Sequence, residues 1–150
     1  MIPESQYIEN VILVRDMRLM DEVTMTKASL IRWLALALGL INSNESRKSL
    51  LDLIEILFAV QLGEGRGITV EEIMDRLKRQ GKRCSEKTIR YHLLRLERRG
   101  VVRRKLKEYS FVESDVGNGG VEAIIDAYDR RYNNSMFKIR TALSKLKGMY

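Results

Sequence analysis

The chain has 150 residues with a net charge of +7, of which 45% are apolar and 31% charged. Apolar residues recur along nearly its whole length, which excludes a disordered protein and predicts one globular domain with helical additions. A single cysteine, Cys84, and a single histidine, His92, exclude an intramolecular disulfide and leave too few ligands for a zinc site. We expect neither residue to be catalytic, because they lie about two helical turns apart.

The positive charge is concentrated in the middle third of the chain. Residues 61–112 hold fifteen basic and seven acidic residues, whereas residues 1–60 hold six basic and eight acidic residues. Within the basic third, "GKRCSEKTIRYHLLRLERRGVVRRK" (81–105) contains ten lysines and arginines but only two glutamates. Such an asymmetry is typical of a unit that binds nucleic acid, although a solvated basic surface is the alternative.

The N-terminal part predicts helices. Pro3 and Glu4 suit a helix start, while "YIENVILV" also fits a strand; we favour a helix. Charged residues interrupt this run, so we expect no signal peptide. The most apolar stretch, "ASLIRWLALALGLIN" (28–42), is too short to cross a membrane and contains Arg32. It predicts a helix buried on most sides, in the core or at a subunit contact.

Two further helices are predicted before the most basic segment. "SRKSLLDLIEILFAVQLGEG" (46–65) has apolar residues at helical spacing, and Ser46 or Ser49 can cap its start. In "TVEEIMDRLKRQG", Thr69 and Glu72 lie three residues apart, which is the spacing of a capping box.

A basic helix is predicted next, over residues 85–99. Gly81 permits the turn before it, Ser85 caps its start and Gly100 ends it. On a helical wheel, an apolar face opposes a basic face. The predicted buried residues are Ile89, Leu93 and Leu96, and the predicted exposed ones are Lys87, Arg90, Tyr91, Leu94, Arg95 and Arg98.

The segment "VVRRKLKEYSFV" (101–112) predicts two short strands around a turn at Lys107–Glu108. Alternation along the second strand places Tyr109 and Phe111 on one face.

The order helix, helix, turn, basic helix, basic hairpin over residues 50–113 resembles a winged helix-turn-helix domain. In particular, "ITVEEIMDRLKRQG" and "CSEKTIRYHLLRLERRGVV" are similar to the pattern of bacterial and archaeal winged-helix transcription regulators. The resemblance implies a mainly α fold with a small β-hairpin wing and with extra N- and C-terminal helices. The predicted divisions are an N-terminal helical extension (1–45), the winged domain (46–115) and a C-terminal helix (116–150).

The resemblance also implies the residues that would contact double-stranded DNA. Helix 85–99 would lie in the major groove, with Arg90 favoured for a base and Arg98 for a phosphate. Leu94 would meet a thymine methyl group or pack against the wing or a second subunit, and Tyr91 would contact the backbone or serve in packing. The implied DNA-binding residues are Ser85, Lys87, Thr88, Arg90, Tyr91, Arg95 and Arg98 on the helix, and Arg103, Arg104, Lys105 and Lys107 on the wing.

Beyond the wing, "GNGG" (117–120) predicts a joint or tight turn, and a heptad-like apolar stripe follows over residues 121–147. An extra shift at Asn133–Asn134 predicts either a stutter or a break into two helices. The stripe must pack on helix 28–41 of its own chain or on a second copy. Since similar regulators dimerise through helices outside the winged unit, we favour a homodimer through 28–41, 121–147 or both.

The favoured function is therefore a cytoplasmic, DNA-binding transcription regulator without enzymatic activity, cofactor or metal. The alternative is an adaptor or assembly subunit, since winged helices also serve in multiprotein complexes. RNA binding suits the charge but lacks interleaved aromatic residues. The segment "GEGRG" lacks the lysine and the serine or threonine that follow a phosphate-binding loop.

Overall fold

A computed structural model describes residues 1–111 and 120–150. Helices dominate, and one small antiparallel sheet accompanies them. In chain order, the elements are a 3₁₀ helix (Pro3–Tyr7), α1 (Asp21–Thr24), α2 (Lys27–Ala37), α3 (Lys48–Gly63), β1 (Ile68–Thr69), α4 (Val70–Arg79), α5 (Glu86–Arg98), β2 (Arg103–Lys105), β3 (Glu108–Ser110) and α6 (Val121–Lys147). Across the described ranges, no helix has both the length and the apolar character needed to cross a membrane.

Three helices, α3, α4 and α5, pack around the centre of the molecule. Each contributes an apolar face at helical spacing, so burial of these faces drives their association. The predicted buried face of α5 is confirmed. The side chains that fill this centre include Leu53, Ile54 and Leu57 of α3, Ile73 and Leu77 of α4, and Ile89, Leu93 and Leu96 of α5.

Local signals fix the starts of α4 and α5. The Thr69 hydroxyl oxygen accepts a hydrogen bond from the backbone N–H of Glu72 (3.2 Å), which is one half of the predicted capping box. The other half differs from the prediction, because the Glu72 carboxylate pairs with Arg66 and Arg76 and not with the Thr69 amide. Ser85 caps α5 by accepting from the N–H of Thr88 (3.2 Å). These caps satisfy amides that the helices leave unpaired at their starts.

The start of α3 differs from the prediction. Neither Ser46 nor Ser49 caps the helix: its N-cap is Arg47, which makes no side-chain capping bond. Ser49 lies in the first turn, where its hydroxyl contacts His92 instead. Capping rules consider only neighbouring residues in the sequence, so they cannot predict a contact between Ser49 and the distant His92.

The sheet has three strands in the order β1-β3-β2, all antiparallel. Strand β1 was not predicted, because its two residues pair only through the distant β3. The wing turn lies at Leu106–Lys107 and not at Lys107–Glu108, and Leu106 adopts a positive φ of 57°. Tyr109 and Phe111, which the sequence places on one face, are both buried. Phe111 stacks on Phe58 with the ring centroids 4.8 Å apart, so the wing is anchored to α3.

The favoured N-terminal helix is wrong for most of its length. Only Pro3–Tyr7 is helical, as a 3₁₀ turn, and residues 8–20 form neither helix nor strand. Arg15 explains the extended path: its guanidinium donates to the carbonyls of Leu36 (2.6 Å) and Ile41 (2.9 Å). The backbone N–H of Arg15 also donates to the Ala37 carbonyl (2.8 Å), so the extended segment satisfies a carbonyl in the last turn of α2.

The end of α2 also receives two side chains from later elements. Tyr128 donates to the Leu38 carbonyl (2.9 Å), and Arg99 donates to the Gly39 carbonyl (2.6 Å). Gly39 has a φ of 71°, and a side chain there would collide with the Leu13 backbone. The end of α2 therefore joins the N-terminal segment, α5 and α6.

Helix α6 is continuous through Asn133 and Asn134, so of the two predicted alternatives, a stutter or a break into two helices, the break is wrong. Its first turns are buried through Ala123 and Ile124, whereas nearly all side chains from Tyr132 onwards are exposed. Gly120 precedes the helix, and the rest of the predicted 117–120 joint lies outside the described residues. The predicted boundary between residues 115 and 116 lies there too and stays a prediction.

Candidate nucleic-acid interface

Helix α5 separates its apolar and basic side chains as its sequence predicts. Ile89, Leu93 and Leu96 face the core, whereas the opposite side is open to solvent. The exposed predicted residues are Lys87, Arg90, Tyr91, Leu94 and Arg98, while Arg95 and Thr88 are half-buried. Burial of the apolar face of α5 therefore orients the exposed side chains that form the candidate interface.

Arg90 forms an ion pair with Glu86, one turn earlier on the same face. Its guanidinium lies 2.9 Å from the Glu86 carboxylate. This hydrogen bond raises the pKa of Arg90, and the nearby Tyr109 and Glu71 add to the effect. The arginine favoured for base contact therefore has an intramolecular acidic partner in the free protein.

Tyr91 lies between two guanidinium groups from different helices. Arg95 of α5 lies 5.8 Å from the ring centroid, and Arg47, at the start of α3, lies 5.7 Å from it. Tyr91 is 49% exposed, so packing against the core does not account for it. Cation–π attraction instead holds the two arginines beside its ring.

Ser85 and Thr88 form the N-terminal edge of this face. Ser85 caps the helix, and its hydroxyl donates to the Thr88 hydroxyl oxygen (2.9 Å). The capping role of Ser85 is therefore present in the free protein. A DNA contact by Ser85 and Thr88 stays a prediction.

The wing carries four exposed cations: Arg103, Arg104, Lys105 and Lys107. The guanidinium of Arg104 lies 5.9 Å over the Tyr109 ring, and its Nε donates to the Leu106 carbonyl (2.9 Å). Leu106 itself is 88% exposed at the tip of the turn. The sequence analysis did not single out this leucine, because its exposure depends on the position of the turn.

The basic wing follows the basic helix directly in the chain. Helix α5 ends at Arg98, and β2 begins with Arg103 after four residues. The basic faces of α5 and of the wing therefore belong to neighbouring elements.

A model of the family described as the ribonuclease R winged-helix domain matches residues 54–113. These residues form a winged-helix domain. The match covers two fifths of the 150 residues and includes most of α3, all of α4 and α5, and all three strands. No curated protein and no solved structure matches the chain. The winged-helix domain is compatible with nucleic-acid binding. All eleven predicted site residues lie on or beside α5 or on the wing, and the side chain of each is at least partly exposed.

Two residues at the edge of the winged-helix domain were missed by the sequence analysis as site candidates: Arg47 and Ser49. The Ser49 hydroxyl lies 2.9 Å from Nε2 of His92, and His92 is 1% exposed. Burial lowers the pKa of His92, and the charges of Arg47 and Arg95 lower it further. The sequence signal that could have indicated Arg47 is the basic pair Arg47–Lys48 at the start of α3. The pair lies far from α5 in the sequence, so spacing alone could not predict its contact with that helix.

The described residues contain no cluster of three or more histidine, cysteine, aspartate or glutamate side chains that could hold a metal. Cys84 is a free, half-buried thiol, and burial raises its pKa. A raised pKa disfavours the reactive thiolate, so the environment of Cys84 suits packing better than nucleophilic chemistry.

Proposed function

We propose that the chain binds double-stranded DNA and regulates transcription, with α5 in the major groove and the wing along the backbone or in the minor groove. The observation that carries this proposal is the adjacency of two exposed basic surfaces, on α5 and on the wing. Duplex DNA presents closely spaced phosphates, which such a surface neutralises. The winged-helix domain supports this use of α5, since helix-turn-helix folds place their recognition helix in the major groove.

The site suggests different roles for individual cations. Arg90 projects from the exposed face and is suited to a bidentate contact with guanine, once DNA displaces Glu86. Arg98 lies further along the same face, where a phosphate contact is the simpler role. In this proposal the protein acts by binding in the cytoplasm, without catalysis, cofactor or metal.

The test is fluorescence anisotropy on a random 30-base-pair duplex across a range of salt concentrations, followed by selection of a preferred sequence. If about six cations contact phosphates, log Kd should change with log salt with a slope of about 5. The double substitution R90A/R95A should weaken binding to the selected duplex more than to the random duplex. Absence of binding by the wild-type protein at about 50 mM salt would contradict the proposal, because phosphate contacts are strongest at low salt.

RNA is the second candidate, because the matching family takes its name from a ribonuclease. Single-stranded RNA is usually held by bases that stack on exposed aromatic rings. Of the aromatic residues that α3, α4, α5 and the wing contribute, Phe58, Tyr109 and Phe111 are buried and Tyr91 is exposed. One ring does not make a stacking platform, so we favour DNA. The same titration on a matched RNA duplex and an RNA single strand distinguishes the two.

We further propose that the chain forms a homodimer through α6. This helix of 27 residues is about 40 Å long, and only its first turns pack on its own chain. The remainder exposes an apolar stripe at heptad spacing. Its members are Ile125, Tyr132, Ile139, Leu143 and Leu146, each more than two fifths exposed.

Charge supports a second copy as the occupant of this stripe. The distal half of α6 carries four basic residues, Lys138, Arg140, Lys145 and Lys147, and no acidic residue. Its proximal half carries three acidic residues, Glu122, Asp126 and Asp129, and two basic ones, Arg130 and Arg131. An antiparallel pair would bring the basic half of one helix beside the half of the other that carries all its acidic residues, which favours that orientation. If the chain is instead an adaptor, a different protein covers this stripe. The isolated chain should then have the molecular mass of a monomer.

A further inference from the structure

A groove of about 490 Å³ lies between the start of α3 and the exposed face of α5. It lies beside the predicted recognition surface but includes residues that the sequence analysis did not assign to DNA. Its lining residues are Arg47, Ser49, Lys87, Thr88, Tyr91 and His92. Both helices therefore contribute polar side chains to one concave surface.

The groove is strongly cationic. Arg47 and Arg95 lie within 5.8 Å of the Tyr91 ring centroid, and Lys87 lines the same surface. Within residues 1–111 and 120–150, none of these three side chains forms a salt bridge with a carboxylate. Glu45 is the nearby acid, and its carboxylate accepts from the backbone N–H of Arg47 (3.1 Å). Three cations without acidic partners leave a net positive potential in the groove.

His92 forms the buried side of the groove and orients Ser49. Its Nε2 lies 2.9 Å from the Ser49 hydroxyl, and its buried Nδ1 has no hydrogen-bond partner among the residues that the structure describes. A buried N–H without an acceptor is costlier than a buried lone pair without a donor. The neutral imidazole therefore carries its proton on Nε2 and donates it to Ser49. The hydrogen of the Ser49 hydroxyl is then available to a ligand in the groove.

We infer that this groove binds one phosphate group of the DNA backbone, next to the segment read by α5. Arg47, Lys87 and Arg95 supply the positive charge, and the Ser49 hydroxyl donates a hydrogen bond to a phosphate oxygen. Arg47 and Ser49 lie at the N-terminal end of α3, where no side chain caps the backbone amides of the first turn. Such amides favour an anion at that end of the helix. This inference rests on the proposed function and extends the contact surface from the winged-helix motif to the residues that precede α3.

Salt-dependent anisotropy of the full chain on a random duplex provides the test. R47A should weaken binding about three- to tenfold at 50 mM salt and lower the slope of log Kd against log salt by about 0.9, the value for one phosphate contact. K48A is the matched control, because it removes an equal charge from the adjacent, exposed residue that does not line the groove. S49A should weaken binding with an unchanged slope, and S49T, which keeps the hydroxyl, should restore it. Circular dichroism and thermal unfolding verify that each variant is folded.

Equal effects of R47A and K48A, with wild-type binding intact, would overturn the inference and leave the proposed function standing. A wild-type protein that does not bind the duplex would overturn the proposed function. In that case, titration with inorganic phosphate, followed by amide chemical shifts, tests the groove alone. Shifts confined to residues 47–50 and 87–92 and abolished by R47A would support a site for free phosphate, and their absence would overturn it.

Discussion

Glu86 and Arg90 form an ion pair across one turn of the exposed face of α5, with 2.9 Å between the guanidinium and the carboxylate. Both side chains are about half exposed, so the pair adds little to the stability of the fold. Its importance lies in binding, because it places a negative charge on the surface that we propose for DNA and occupies the arginine favoured for base contact.

Glu86→Gln should therefore strengthen binding to random duplex, by about three- to tenfold at low salt. The substitution removes repulsion between the carboxylate and the phosphates and releases Arg90. The gain should shrink as salt screens the charges. Anisotropy titrations at 50 and 200 mM salt measure it, with Glu4→Gln as a charge-matched control in the N-terminal segment. Weaker binding by E86Q would indicate that Glu86 itself contacts a base.

Leu143→Asp should convert the proposed homodimer into a monomer, because it places a charge in the apolar stripe of α6. Ser144→Asp is the matched control: it adds the same charge one residue away, about 100° around the helix. Sedimentation equilibrium gives the mass of each variant, and circular dichroism verifies the helix. A wild-type protein that sediments as a monomer would contradict the dimer.

His92 should make the stability of the protein depend on pH in a defined window. Burial lowers its pKa below the ordinary value of 6.5, so the unfolded chain binds the proton more readily than the folded chain. The stabilising contribution is complete above pH 6.5 and is lost as the pH falls through the lowered pKa. Urea denaturation at pH 7.5 and 5.5 should show a lower free energy of unfolding at pH 5.5.

The same comparison in His92→Gln should show a smaller difference between the two pH values. Two carboxylates, Glu72 and Glu64, do not contribute in this pH window. Arg66 and Arg76 hold the pKa of Glu72 at about 2, and hydrogen bonds from the same arginines lower the pKa of Glu64. Their contributions are lost only at more acidic pH. An equally steep pH dependence in H92Q would assign the effect to other groups.

Tyr128→Phe should lower the free energy of unfolding by about 1 kcal/mol, because the Leu38 carbonyl loses its donor. Tyr7→Phe removes the same hydroxyl from a side chain that is 72% exposed and lies outside the α6 stripe, and we expect no measurable change. Urea denaturation of the two variants compares them directly. Equal stabilities would show that water replaces the tyrosine hydroxyl at Leu38.

The family match and the structure confirm the winged-helix domain that the sequence predicts. The signals were local: Thr69 and Ser85 as caps, Gly81 and Gly100 after helix ends, and the apolar period of α5. The same period also gave the exposed basic face, since a side chain opposite a buried stripe must face solvent. Short-range geometry was sufficient for these features.

The tertiary structure decided the features that depend on distant partners. Ser49 looked like a cap but contacts His92, 43 residues later, and β1 exists only because it pairs with β3. Arg15 keeps the N-terminal segment extended by bonding to the end of α2, against a sequence that favours helix. Sequence spacing fixes the face of a helix on which a residue lies, because helical geometry is local. The group that this residue meets is fixed by chain packing, in which buried polar atoms must find partners wherever the fold provides them.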